Sequence, residues 1–184
     1  GFVTLIGLGT NLKFYINRGG LYLDITPIRS SATLSGPFSA TIGSSIVVVT
    51  DANHGCVNGD FVTFYGATSL GGDITAAVLN QEYAVTYISL NTYSINVGVN
   101  ATVSDVGNGG SDVQAVYQIN VGPEYAVPQT GWGAGPWGYG TWGFGAPGTD
   151  SLRLWSQTNY GEDLIFGPRG GGIYYWSAAI GPTP

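Results

Sequence analysis

Glycine, asparagine and proline recur every few residues along this chain, and the stretches between them are dense in β-branched and aromatic side chains. Glycine loses the most backbone freedom on folding and proline lacks the helix donor, so such punctuation excludes long helices. No long window carries a sustained 3.6-residue apolar period, and the pattern is one of short strands between tight turns. Strands are expected over 4–8, 13–17, 20–25, 45–50, 60–65, 82–89, 92–97, 113–121, 151–155, 163–166 and 172–176. Leu90-Asn91 is expected to be a short hairpin turn, and 75–80 the one helical turn. Short strands at this spacing predict an all-β sandwich, barrel or propeller.

The two ends resemble each other. Leu5-Ile6-Gly7-Leu8 leads into Leu12-Lys13-Phe14-Tyr15, and Leu164-Ile165-Phe166-Gly167 leads into Ile173-Tyr174-Tyr175-Trp176. Each is an apolar strand, a glycine-bearing turn and an aromatic strand, the unit from which propeller blades are built. The expected organisation is therefore propeller-like blade strands at 1–29 and 151–184, with an inserted small β-barrel or sandwich domain at 30–121. A Gly/Trp-rich connecting loop at 122–150 completes it.

That loop holds three tandem W-G-x-G-x pentads, starting at Trp132, Trp137 and Trp142 and including Tyr139 and Phe144. Glycine at two of every five positions forbids a helix and weakens a strand. Each tryptophan can remove ~150–250 Å² from water, so three left on a loose loop would be an aggregation hazard. Docking at a subunit or domain boundary is expected, and a carbohydrate platform is the alternative. Trp132, Trp137, Tyr139, Trp142, Phe144, Trp155 and Trp176 are the expected assembly contacts.

Charge narrows the function. Only 9% of residues are charged, against a typical ~25%. A surface so poor in charge is expected to face other protein. The net charge is −6, and the five bases Lys13, Arg18, Arg29, Arg153 and Arg169 form no run. That argues against a duplex-binding surface and against an anionic membrane. No stretch reaches 18 consecutive apolar residues, so no transmembrane helix or membrane anchor is expected. Methionine is absent even at position 1 and no signal-peptide pattern opens the chain, so a segment of a longer protein is expected.

Chemistry-bearing constellations are few. His54 and Cys56 form an H-x-C pair, but the chain has no further His or Cys to complete a zinc site. Glu162 and Asp163 are adjacent, and successive strand residues point to opposite faces, so they do not converge on one glycosidic bond. No G-x-S-x-G elbow and no dinucleotide or phosphate loop is present. No catalytic, metal or cofactor-binding residue and no cofactor is expected; the chain reads as a non-enzyme.

Four segments carry a family resemblance. Gly20-Leu21-Tyr22-Leu23-Asp24-Ile25-Thr26-Pro27-Ile28-Arg29 resembles the LYDITPLR segment of a family of tailed-bacteriophage virion proteins. His54-Gly55 followed by Gly59-Asp60-Phe61-Val62-Thr63-Phe64 is similar to its HG…GDFVTF motif, and Tyr117-Gln118-Ile119-Asn120-Val121-Gly122 to its YQINVG. The Trp-Gly pentads then lead, in the family's order, into 152–156, 159–165 and 168–176. The resemblance spans almost the whole chain and implies the N-terminal portion of a longer protein. It points to the tail hub, nozzle or packaged-DNA stabilisation proteins of short-tailed phages.

The implied role is a structural subunit of the virion tail, in a homo-oligomeric ring below the portal that retains and passes DNA. Implied partners are other tail or portal/adaptor proteins, with DNA in the lumen and no specific recognition of it. A host-surface glycan-binding tail module and a capsid decoration protein are the alternatives.

Overall fold

The computed structural model describes residues 5–10, 12–120 and 154–179. Its elements, in chain order, are β1 (Leu5–Gly9), β2 (Phe14–Arg18), β3 (Leu21–Asp24), β4 (Ile28–Leu34), β5 (Phe38–Ala40), β6 (Ile46–Thr50), β7 (Phe61–Tyr65), α1 (Ala76–Leu79), β8 (Glu82–Ala84), β9 (Thr86–Ser89), β10 (Thr92–Asn96), β11 (Asp105–Asn108), β12 (Val113–Gln118), β13 (Trp155–Tyr160), β14 (Asp163–Pro168) and β15 (Tyr174–Trp176). The protein is all-β. Two compact units divide it: Ile28–Asn120, and the described residues on either side of that stretch.

The Ile28–Asn120 unit is a sandwich of two antiparallel sheets, ordered β11-β5-β6-β10-β9 and β4-β12-β7-β8. Strand alternation sends Phe38, Val47, Val49 and Ile95 inward from the first sheet and Val62, Phe64, Val113 and Ala115 inward from the second. The two inner faces fuse into one core. Four antiparallel sheets hold the strands of the described residues.

Three strands of this unit carry no clear signal. β4 is rich in Ser and Thr and lies at a sheet edge, β5 is very short, and β11 contains Gly107 in the left-handed region at φ 70°. Pairing with β12, β6 and β5 holds them extended. The expected single strand over 82–89 is two strands in different sheets. The chain crosses over at buried Val85, whose N–H donates to Asp60 O at 2.7 Å and whose carbonyl accepts from Gly59 N at 3.0 Å. The helical turn forms, capped by the Thr75 hydroxyl on Val78 N at 3.3 Å.

The other unit stacks two three-stranded antiparallel sheets, β1-β2-β3 and β13-β14-β15. Phe14, Ile16 and Ile25 meet Leu164 and Phe166, with Trp155, Tyr174 and Trp176 packed around them. Phe14 stacks on Phe166 at 4.5 Å between ring centroids. Glycine makes the close approach possible. A Cβ on Gly9 would lie 2.4 Å from the Trp155 ring, and one on Gly7 would lie 1.9 Å from Gln157 Oε1. The Trp155 indole N–H donates to Thr10 O at 2.7 Å, and Gln157 Nε2 to Gly7 O at 3.2 Å.

Two strand positions here differ from expectation. The strand expected over 151–155 runs Trp155–Tyr160 instead, templated by β14, and 151–153 lie outside the described residues. The strand expected from 172 begins at Tyr174, where pairing with Phe166 of β14 starts, and a Cβ on Gly167 would lie 2.3 Å from Gly172 O.

Candidate functional site

The loop from Asp51 to Asp60 joins β6 to β7 and gathers the single histidine, the single cysteine and two aspartates into one buried knot. Asn53 and Gly55 take left-handed backbone, φ 57° and 64°, and fold the loop back on itself. His54 then turns inward. Its Nδ1 accepts from Cys56 N at 3.0 Å and its Nε2 meets Ser89 O at 2.9 Å, so the Nε2–H tautomer fits both bonds. The ring packs edge-on against Tyr93 at 5.0 Å.

Arg29, at the start of β4, closes the loop. Its guanidinium donates to His54 O at 3.3 Å, to Gly55 O at 3.2 Å and to Cys56 Sγ at 3.3 Å. It also lies 5.6 Å from the centre of the Tyr117 ring and 3.8 Å from Asp60 Oδ2. A Cβ on Gly55 would come within 2.9 Å of Arg29 Nη1, so this glycine answers to space as well as to backbone angle.

Two buried carboxylates complete the knot, each held by donors as burial of charge demands. Asp60 accepts from Val57 N at 3.1 Å and Asn120 Nδ2 at 2.6 Å. Asp51 accepts from the Tyr117 hydroxyl at 2.5 Å. With that proton committed, Tyr117 accepts from the Tyr93 hydroxyl at 3.0 Å. Burial holds both phenols well above the ordinary tyrosine range. Burial likewise pushes the Cys56 thiol up to about 11, against a smaller downward pull from Arg29.

Chemically this is a clamp. Both nitrogens of the single histidine are committed to backbone partners, the single thiol resists ionisation, and the carboxylates are spent on internal donors. The residues of the H-x-C pair therefore act as structural ties to β4, β9 and β10.

The expected assembly residues divide. Trp155 and Trp176 join the same small core, partly buried. Trp132, Trp137, Tyr139, Trp142 and Phe144 lie outside the described residues. Glu162 sits exposed in the β13–β14 turn. Asp163 accepts from the Tyr175 hydroxyl and from Ala178 N at 2.9 Å, and the Tyr175 bond chiefly holds its carboxyl below the usual range.

Sequence reasoning did not foresee the knot. Arg29, Asp60, Tyr117 and Asn120 stood within the segments that carry the family resemblance, which was the available signal. Asp51 and Tyr93 had none, because their role comes from a hydroxyl chain that spans two sheets.

No protein-family model and no curated protein matches the chain. Among solved structures it is similar to the "Phage phi92 endosialidase", at 15% identity and a TM-score of 0.40. That likeness covers 63% of this chain and 18% of the other, so the chain spans less than a fifth of the length of the protein it matches. A bacteriophage protein thus stands among its structural neighbours.

Proposed function

We propose that the chain is a structural, non-enzymatic subunit of a bacteriophage tail, a component of the hub or nozzle ring below the portal. It acts through subunit contacts. The observation that carries this reading is the division of labour among its side chains. Those able to do chemistry, Arg29, Asp51, His54, Cys56 and Asp60, are committed to internal bonds. Large apolar ones stay outside, among them Ile173 at 84% exposure and Val106 at 80%. A surface of this kind suits complementary protein neighbours. The four motif resemblances point the same way, and the net charge of −6 fits a wall that DNA passes without adhering.

A cryo-EM reconstruction of the intact particle tests the proposal. The expected result is several copies in a closed ring on the tail axis, with apolar residues buried between neighbours. A peripheral position with the Trp-Gly pentads open to solvent would overturn it in favour of host-glycan binding, and a place on the capsid lattice in favour of decoration.

A further inference from the structure

We propose that Asn108 is a site of spontaneous modification, deamidating to aspartate and isoaspartate, and that the fold withholds the same reaction from Asn58. Asparagine is a labile residue, and a following glycine leaves the approach to its side-chain amide unhindered. The chain has two such pairs, Asn58-Gly59 and Asn108-Gly109. In the reaction the glycine nitrogen attacks Cγ of the asparagine and closes a succinimide ring. Nδ2 leaves as ammonia, carrying off the proton of the glycine nitrogen. Water then opens the ring at either carbonyl, giving aspartate or isoaspartate with one new negative charge.

Local bonding separates the two pairs. At the first, both reacting groups are held: Gly59 N donates to Val85 O at 3.0 Å, and Asn58 Oδ1 accepts from Tyr87 N at 2.7 Å. These bonds tie the loop to the crossover between β8 and β9, so Asn58 reacts only when that loop opens. At the second, Asn108 stands exposed at the end of β11, just past the register shift in its pairing with β5. Its Nδ2, the leaving group, donates to Asp105 Oδ1, and Gly109 N makes no hydrogen bond among the described residues. The fold itself demands glycine there, since its φ is 101° and a Cβ would lie 2.3 Å from the Phe38 ring. Gly109 is buried against that ring, which slows the attack relative to an open chain without a bond to break first. Conversion replaces the bond between Asn108 and Asp105 with two carboxylates side by side.

The test is incubation of the chain in heavy-oxygen water at mildly alkaline pH, native and in urea, followed by chymotryptic peptide mapping with mass spectrometry. Ring opening places a heavy oxygen in each converted residue, so label marks conversion during the incubation. The readout is the slowing of each site by the fold, the rate in urea divided by the native rate. That slowing is expected to be at least roughly 10-fold greater at Asn58 than at Asn108. Asn108→Gln should abolish label in its own peptide and leave the Asn58 peptide unchanged. Slowing at Asn108 that equals or exceeds that at Asn58 overturns the inference. So does a native chain without label at Asn108 once the urea sample is labelled at both sites.

Discussion

Residues 28–120 close their core from one continuous stretch of chain, whereas the other unit takes one three-stranded sheet from each side of that stretch. The first core is largely aliphatic, spans two broad sheets and carries a buried polar knot at one end. The second is small and aromatic, with glycines where side chains would otherwise stand. The contrast concerns loop closure. Joining β1 to β13 brings together residues about 150 positions apart, an entropic cost that grows with the separation. Pairing of Ile28 with Gln118 sets the entry and exit of the middle unit side by side and shortens that search. The middle unit is thus expected to fold first and the terminal unit to depend on it.

The sharpest way to break this comparison is Phe64→Ala, which empties a fully buried site of the middle core. A loss of about 3–5 kcal/mol is expected in urea unfolding, with the NMR resonance of the Trp155 indole N–H disappearing in the same transition. A Trp155 signal that outlives the middle unit would show that the terminal sheets close independently. Next comes Arg29→Ala, which opens the loop clamp and strips Asp60 of its cation. A cost of about 2 kcal/mol is expected, below that of a fully buried pair because the arginine is a third exposed. Arg29→Lys should recover little, since an ammonium cannot span the carbonyls and the sulfur at once.

Gly9→Val tests the opposite direction. It drives a side chain into Trp155 and should cost about 1–3 kcal/mol in the terminal unit alone. Urea melts followed by NMR should show the Trp155 resonance shifted and the middle unit's midpoint unmoved.

The smallest effects are in pH: an alkaline one at Cys56 in the middle unit and an acid one at Asp163 in the terminal unit. In the middle unit the Cys56 thiol is raised from 9.0 to about 11, so its contribution is complete below pH 9 and is lost as pH rises toward 11. The raised Tyr93 and Tyr117 phenols act in the same direction at higher pH. Cys56→Ala should flatten the first part of that alkaline decline in thermal melts. In the terminal unit the Asp163 carboxyl is lowered, so its contribution is complete above about pH 3.8 and fades as pH falls below that. Asp163→Asn should remove that acid dependence.

The all-β character was legible because turn residues and β-branched runs act locally. The strongest strands, such as β6, β7, β10 and β14, stand close to where their apolar alternation puts them. β4, β5 and β11 were not legible, since serine, glycine and short length carry little preference of their own and pairing makes them strands. The 82–89 run reads as continuous because nothing in Ala84-Val85-Thr86 marks a break. The change of sheet there comes from Asp60 O and Gly59 N, supplied from a different part of the loop. For the same reason the H-x-C pair was visible as a pattern, while its contacts to Arg29, Ser89 and Tyr93 were not.

By itself the sequence determined that this chain makes strands rather than helices and that it is poor in charge. These follow from composition and from spacing over a few residues. Tertiary structure decided which face of each strand is the inside. In β1 the alternation of Ile6, Gly7, Leu8 and Gly9 allows either face to be buried, and the bulk of Trp155 and Gln157 settles it in favour of the glycines. It also decided that Asp51, Tyr117 and Tyr93 share one proton chain, because only the packing of two sheets brings those hydroxyls within reach. Local preference is written residue by residue, whereas excluded volume and buried hydrogen bonding belong to pairs that the chain brings together only when folded.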